Sequence, residues 1–173
     1  MELTREQRFD DLLTEVHVPL QRYLGRRTPE AEDVLADTLV VLWRRLDDVP
    51  ADRLPWAYGV ARGCLANASR AERRRFRLLR RLALEPAAPA PPEDPALAEA
   101  LAALPVADQE VLRLWAWEQL APREIAVVLG ITPNAASIRL HRATTKLRTV
   151  LVGKEGPAPG HQQVDGHREG THS

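Results

Sequence analysis

The sequence predicts an all-α protein: two small helical domains joined by a proline-rich linker, the C-terminal one containing a helix-turn-helix. Three observations predict it. Of 173 residues, 45% are apolar but only 5% aromatic, with Ala, Leu and Arg conspicuous, a composition that favours helices over a β-sandwich. Apolar residues recur at helical spacing on both sides of the segment 85–95. That segment, EPAAPAPPEDP, holds five prolines, each of which removes a backbone donor and forbids a helix interior. The expected divisions are a helical domain over 1–84, a semi-rigid linker over 85–95, a helix-turn-helix domain over 96–152 and a disordered tail over 153–173, where apolar residues are almost absent.

In the first domain, Thr4 can cap a helix that bears Phe9, Leu12, Leu13, Val16 and Leu20, with Pro19 expected to kink it or end it near Val18. Thr28 followed by Pro29 reads as a second start, a cap residue with proline at the first helical position. From there Ala31, Val34, Leu35, Thr38, Leu39, Leu42 and Leu46 form one apolar stripe, with Glu32, Asp33 and Asp37 outside it. A third helix is expected to open at Pro55 and to run through Trp56, Val60, Cys64 and Leu65 into an arginine-rich end.

In the second domain, Leu97, Leu101 and Leu104 mark a short helix ended by Pro105, and Val111, Leu112, Leu114 and Trp115 mark another. Pro122 to Leu129 reads as a helix that Gly130 ends by taking positive φ. Thr132 and Pro133 then cap and begin a longer helix reaching about Leu151. Helix, glycine turn and helix is the outline of a helix-turn-helix. Ala126 and Gly130 are small enough for the helix crossing, with Ile125, Leu129, Ile131, Ile138 and Leu140 available for the core.

The formal charge is zero, from 24 basic and 24 acidic residues, so the whole-chain signature of a nucleic-acid binder is missing. The average hides alternating blocks. Residues 1–52 balance at −5, 53–81 at +8, 82–120 at −6, 121–150 at +4 and the remainder at −1. Two basic blocks, each preceded by an acidic one, suggest two surfaces for phosphate and two for something else.

Other function classes find little support. Cys64 is the single cysteine, so no disulfide forms within the chain, a thiolate zinc site is excluded, and a reducing cytoplasm fits. No apolar stretch approaches the roughly 20 residues of a membrane span, and no membrane insertion is expected. No cofactor is implied. His161, His167 and His172 lack regular metal spacing, and no carboxylate is joined to a His or Ser in a catalytic arrangement. The chain reads as a non-enzyme.

The second helix of the helix-turn-helix offers Asn134, Ser137, Arg139, Arg142, Lys146 and Arg148 to DNA, the early polar residues facing base edges and the later cations facing phosphates. The bland alternative is a capped helical hairpin whose charges solvate a surface. The run RAERRRFRLLRR, Arg70 to Arg81, is basic and amphipathic; it follows Trp56 and Tyr58, aromatics able to stack on unpaired bases. The competing reading makes these two aromatics core residues, and for Trp56 that reading is the favoured one.

AEDVLADTLVVLWRRL (Ala31 to Leu46), followed by LPWAYGVARGCLANASRAERRR (Leu54 to Arg75), resembles region 2 of the extracytoplasmic-function group of bacterial RNA polymerase sigma factors. LAALPVADQEVLRLWAWEQLAPREIAVVLGITPNAASIRLHRATTKLR (Leu101 to Arg148) resembles their region 4. The likeness covers roughly Phe9 to Leu151, with the proline-rich linker in place of region 3. It implies that Glu32, Asp33, Asp37, Trp43 and Arg44 dock on the β′ clamp helices of core RNA polymerase. It further implies that Trp56, Tyr58, Arg62, Asn67, Arg70, Arg73 and Arg74 act at the −10 promoter element, and that region 4 reads the −35 element and rests on the β flap. A nucleoid-associated cytoplasmic protein follows from this, and an anti-sigma factor is a further partner the resemblance leaves open. Ala36 and Leu39 depart from the group's pattern, Gly63 stands where an asparagine follows Ala-Arg, Gln119 replaces a common turn glycine, and Ala135 with Ala136 replaces a Thr-Val pair. A stand-alone helix-turn-helix regulator is the alternative, which leaves the first domain unexplained. An interaction-only protein acting through its acidic helices is a third reading.

Overall fold

The computed structural model describes residues 3–79 and 94–154, and these are helical apart from turns. α1 spans Arg5–Gly25. Thr4 starts it with a reciprocal pair: its hydroxyl accepts from the Gln7 N–H at 3.2 Å, and the Gln7 side chain accepts from the Thr4 N–H at 2.8 Å. The helix continues past Pro19 to Gly25, so it does not end near Val18. The reason is what lies beyond the proline. Leu20, Tyr23 and Leu24 are fully buried, and each is worth about 1.5–3 kcal/mol in its pocket, enough to offset the roughly 3 kcal/mol of an interior proline.

The start at Thr28 and Pro29 also falls elsewhere. The Thr28 hydroxyl accepts from the Glu30 N–H at 3.2 Å, closing a local turn, and α2 spans Ala31–Arg44. Its stripe is as expected, with Val34, Leu35, Thr38 and Leu42 buried. The buried Thr38 hydroxyl is satisfied by donating to the Val34 carbonyl at 2.7 Å. Leu46 is buried from a single 3-10 turn, Leu46–Asp48. α3 spans Arg53–Leu79, with Pro55 in its first turn, where its missing N–H costs little. α1, α2 and α3 pack mutually as a three-helix bundle.

Asp94 caps α4 (Pro95–Ala102), accepting from the Ala96 and Leu97 N–H groups at 3.0 and 3.2 Å. α5 spans Val106–Ala116, α6 Pro122–Leu129 and α7 Pro133–Lys154. The linker over 85–95, apart from its last two residues, and the tail beyond Lys154 lie outside the described residues.

The apolar core does not stop at the border between the two sequence-defined domains. Leu20, Tyr23, Tyr58 and Ala61 from the first share one cluster with Val111, Leu114, Ile125 and Val128 from the second. α3 lies directly on α6, so closely that a Cβ on Gly59 would stand 3.6 Å from the Val128 carbonyl oxygen. A smaller cluster of Leu104, Leu112 and Ala143 joins the second domain's helices. The two-domain pattern in the sequence thus folds, over the described residues, into modules that are packed face to face.

Candidate nucleic-acid interface

The helix-turn-helix is built by backbone chemistry at its turn. The Glu124 carboxylate accepts from the Ala121 N–H at 2.7 Å and opens α6. Gly130 closes it at φ 64°, in the left-handed region, and the Ile131 N–H returns to the Ala126 carbonyl at 3.0 Å. The Thr132 hydroxyl then accepts from the Ala135 N–H at 3.2 Å, so that α7 leaves the turn capped. Gly130 serves by its φ and not by its size: a Cβ there would meet nothing within 4 Å. Small residues at the crossings are instead Ala126, Ala136 and Ala143, all buried. Ile125 is fully buried as expected, Leu129, Ile131 and Leu140 are partly so, and Ile138 is corrected to a surface residue at 43% exposure.

α7 turns a polar face outward. Asn134, Ser137 and Arg142 are exposed, and Arg139 is half-buried. The Ser137 hydroxyl donates to the Pro133 carbonyl at 3.0 Å and keeps its lone pairs for an external donor. Lys146 is exposed but occupied: its ammonium lies 2.6 Å from the Asp108 carboxylate on α5. It serves first to hold α7 against α5, a contact between residues 38 apart that no local pattern announces.

On α3 the expected residues divide. Arg62, Asn67, Arg70, Arg73 and Arg74 are all exposed. The Arg70 guanidinium donates to the Asn67 side-chain oxygen, and Arg73 donates to the Ser69 carbonyl at 3.2 Å. Trp56 is half-buried, with the Arg45 guanidinium 5.4 Å from its ring. Tyr58 is 3% exposed, its ring 5.1 Å from that of Tyr23. The reading of Tyr58 as an aromatic open to stacking is therefore corrected for this arrangement: it is a core residue packed against Tyr23. Burial, and then the nearby Glu118 carboxylate, push its phenol up to about 12. Gly63 is open on the exposed side of α3, with nothing within 4 Å of a Cβ.

On α2, Glu32, Asp33, Asp37 and Arg44 are exposed along the helix. Trp43 is half-buried against α1, in edge contact with Phe9 at 5.1 Å, while Arg5 lies 5.2 Å over its ring and donates to its carbonyl at 2.9 Å. Cys64 is half-buried beside Thr38, and burial raises its thiol, as in a packing residue. Among the described residues no His, Cys, Asp or Glu cluster could hold a metal ion, and no helix is long and apolar enough to cross a membrane.

The sequence reading missed the charged contact between the modules. Just past the end of α1, Arg27 reaches Glu118 at 3.0 Å and Glu110 at 3.6 Å, and Arg26 reaches Glu118 at 3.3 Å. The Arg27 guanidinium also lies 3.7 Å over the Tyr23 ring. The acidic block before the helix-turn-helix, which includes Glu110 and Glu118, was the signal the sequence held for it.

This architecture has known counterparts. Residues 95–147 match the family described as sigma-70, region 4. Over 157 residues, 79% of the chain, the protein is 28% identical to the probable RNA polymerase sigma factor RfaY of Xanthomonas campestris pv. campestris. That match covers 39% of the relative, so the chain spans well under half of that protein's length. It is 25% identical to the RNA polymerase sigma factor NccH of Alcaligenes xylosoxydans xylosoxydans over 78% of this chain and 80% of the relative. The structure of CnrH in complex with the cytosolic domain of CnrY aligns with a TM-score of 0.56 at 25% identity, covering 84% of this chain and 88% of that one. The sigma factor RpoE of Bartonella quintana, solved with the anti-sigma factor NepR, shares the fold with a TM-score of 0.63 at 20% identity, over 83% and 96% of the two chains. The likeness runs through both modules and so accounts for the first, which a stand-alone regulator leaves without a purpose. Residues 95–147 thus carry a module similar to sigma-70 region 4, and the chain as a whole is similar to RNA polymerase sigma factors.

Proposed function

We propose that this chain directs core RNA polymerase to promoters and assists strand separation there. The observation that carries the reading is the pairing of two unlike surfaces on one chain. One is a capped helix-turn-helix whose α7 presents Asn134, Ser137 and Arg142 outward; the other is α3, whose exposed end carries Arg70, Arg73 and Arg74. The first has the form of a duplex reader, placed to enter a major groove with the −35 element. The second is a cationic helix suited to the −10 element, where bases held outside the stack offset unpairing at about 1–3 kcal/mol each. The acidic exposed side of α2, with Glu32, Asp33 and Asp37, is the candidate contact with the polymerase clamp helices. The β flap is the candidate contact for the second module. Regulation by an anti-sigma protein is part of the same reading.

Transcription from a promoter library by purified core polymerase tests it. Addition of the chain should produce new, sequence-defined start sites, and footprints should require core enzyme. Protection of the same sites by the chain alone would favour the stand-alone regulator.

A further inference from the structure

We infer that Ile138 reads a base: its side chain packs on the C5-methyl group of a thymine in the major groove, so that α7 selects an A·T pair at one place in the −35 element. The inference rests on the promoter reading and adds a residue which that reading leaves out. It begins from burial. Between Asn134 and Thr149, Ile138 is the only exposed apolar residue of α7, and at 43% exposure it belongs to neither apolar cluster. A single surface isoleucine is ordinary, so its position and its neighbours must decide what it does.

At 3.6 residues per turn, Asn134, Ser137, Ile138, His141, Arg142 and Thr145 fall within an arc of about 140°, and all six are exposed. Ala136 and Ala143, both fully buried, lie on the opposite side of the helix. Ile138 therefore stands near the middle of the outward face, one turn before Arg142. Charge says what that face meets: α7 carries no acidic residue from Pro133 to Lys154, which suits a polyanion. The chemistry beside Ile138 narrows the base. The Ser137 hydroxyl spends its proton on the Pro133 carbonyl at 3.0 Å, so only its acceptor capacity remains. An acceptor and an apolar chain thus stand side by side. Guanine presents the N7 and O6 acceptors, which neither residue can satisfy, whereas an A·T pair presents the adenine N6 amino donor and the thymine methyl.

The test uses the full chain with core polymerase on a promoter drawn from the transcription library. Each thymine of the −35 element is replaced in turn by deoxyuridine, which lacks only the methyl group. At one position the parent should lose about fourfold of its promoter affinity, the worth of one methyl group removed from water. Ile138→Ser should lose at least that factor on unmodified DNA and nothing further at that deoxyuridine, while Ile138→Val should stay within about twofold of the parent on unmodified DNA and keep its sensitivity to the deoxyuridine. Melting curves of both variants should overlay the parent's, as for substitutions at an exposed site. Equal deoxyuridine losses in the parent and in Ile138→Ser would overturn the inference. So would a parent that initiates normally and is indifferent to every deoxyuridine, a result that leaves the promoter reading standing and that no folding defect can mask, since it needs no variant. A parent that gives no start sites on unmodified DNA would sink the promoter reading, and this inference with it.

Discussion

Lys146 and Asp108 meet at 2.6 Å, the ammonium half exposed and the carboxylate almost buried, and this bond ties the far half of α7 to α5. The sequence offered Lys146 as a phosphate contact; the structure gives its charge a protein partner first. Replacing Lys146 with Met should therefore cost about 1 kcal/mol of stability and leave the salt dependence of duplex binding nearly unchanged. Arg142→Ala should do the opposite. It should leave stability within about 0.5 kcal/mol and lower the slope of log K against log salt by about 0.9, the value of one phosphate contact. Titration of the purified chain with core polymerase and a promoter duplex at several salt concentrations separates the two.

Asp33 and Asp37 lie exposed on α2. Reversing both to Lys should abolish co-purification with core polymerase while leaving thermal stability within about 1 kcal/mol of the parent. A double variant that still co-purifies would remove α2 from the polymerase contact.

Gln119 holds φ 56°, a left-handed backbone that costs a side chain with a Cβ about 1–2 kcal/mol. It sits between α5 and α6, where the Leu120 N–H must return to the Leu114 carbonyl at 3.2 Å. Gln119→Gly should raise stability by up to about 1 kcal/mol, the strain relieved less the entropy glycine adds to the unfolded chain. Denaturant unfolding at constant m-value measures it.

Tyr58 gives the fold an alkaline limit. Its phenol is pushed up to about 12 by burial and by Glu118, while an unfolded tyrosine titrates near 10. A raised folded value contributes stability that is fully present below the unfolded one and is lost as pH rises through the folded one. Stability should therefore decline between about pH 10 and 12, and Tyr58→Phe should flatten that decline. Tyr23 is shifted upward for the same first cause, burial, so some slope should remain in the single variant.

Much of the fold was legible because helices declare themselves locally. The stripe from Val34 to Leu42 is buried as its spacing predicts, and Gly130, Thr132 and Pro133 mark the turn through preferences of one or two residues. Legibility failed where tertiary burial outweighs a local preference. Pro19 stays inside α1 because three apolar residues beyond it need their pockets, and the capping signal at Thr28 yields to a turn that sets α2 two residues later.

The sequence by itself determined an all-helical chain, the place and polarity of the helix-turn-helix, the cationic end of α3 and the acidic face of α2, since each of these follows from residue type and spacing within one helix. Tertiary structure alone decided that Tyr58 is covered, that Lys146 is held by Asp108, and that Arg27 finds Glu118 across 91 residues. Such contacts depend on which helix faces meet, and the pairing of faces is a property of the whole packing and of no single segment's periodicity.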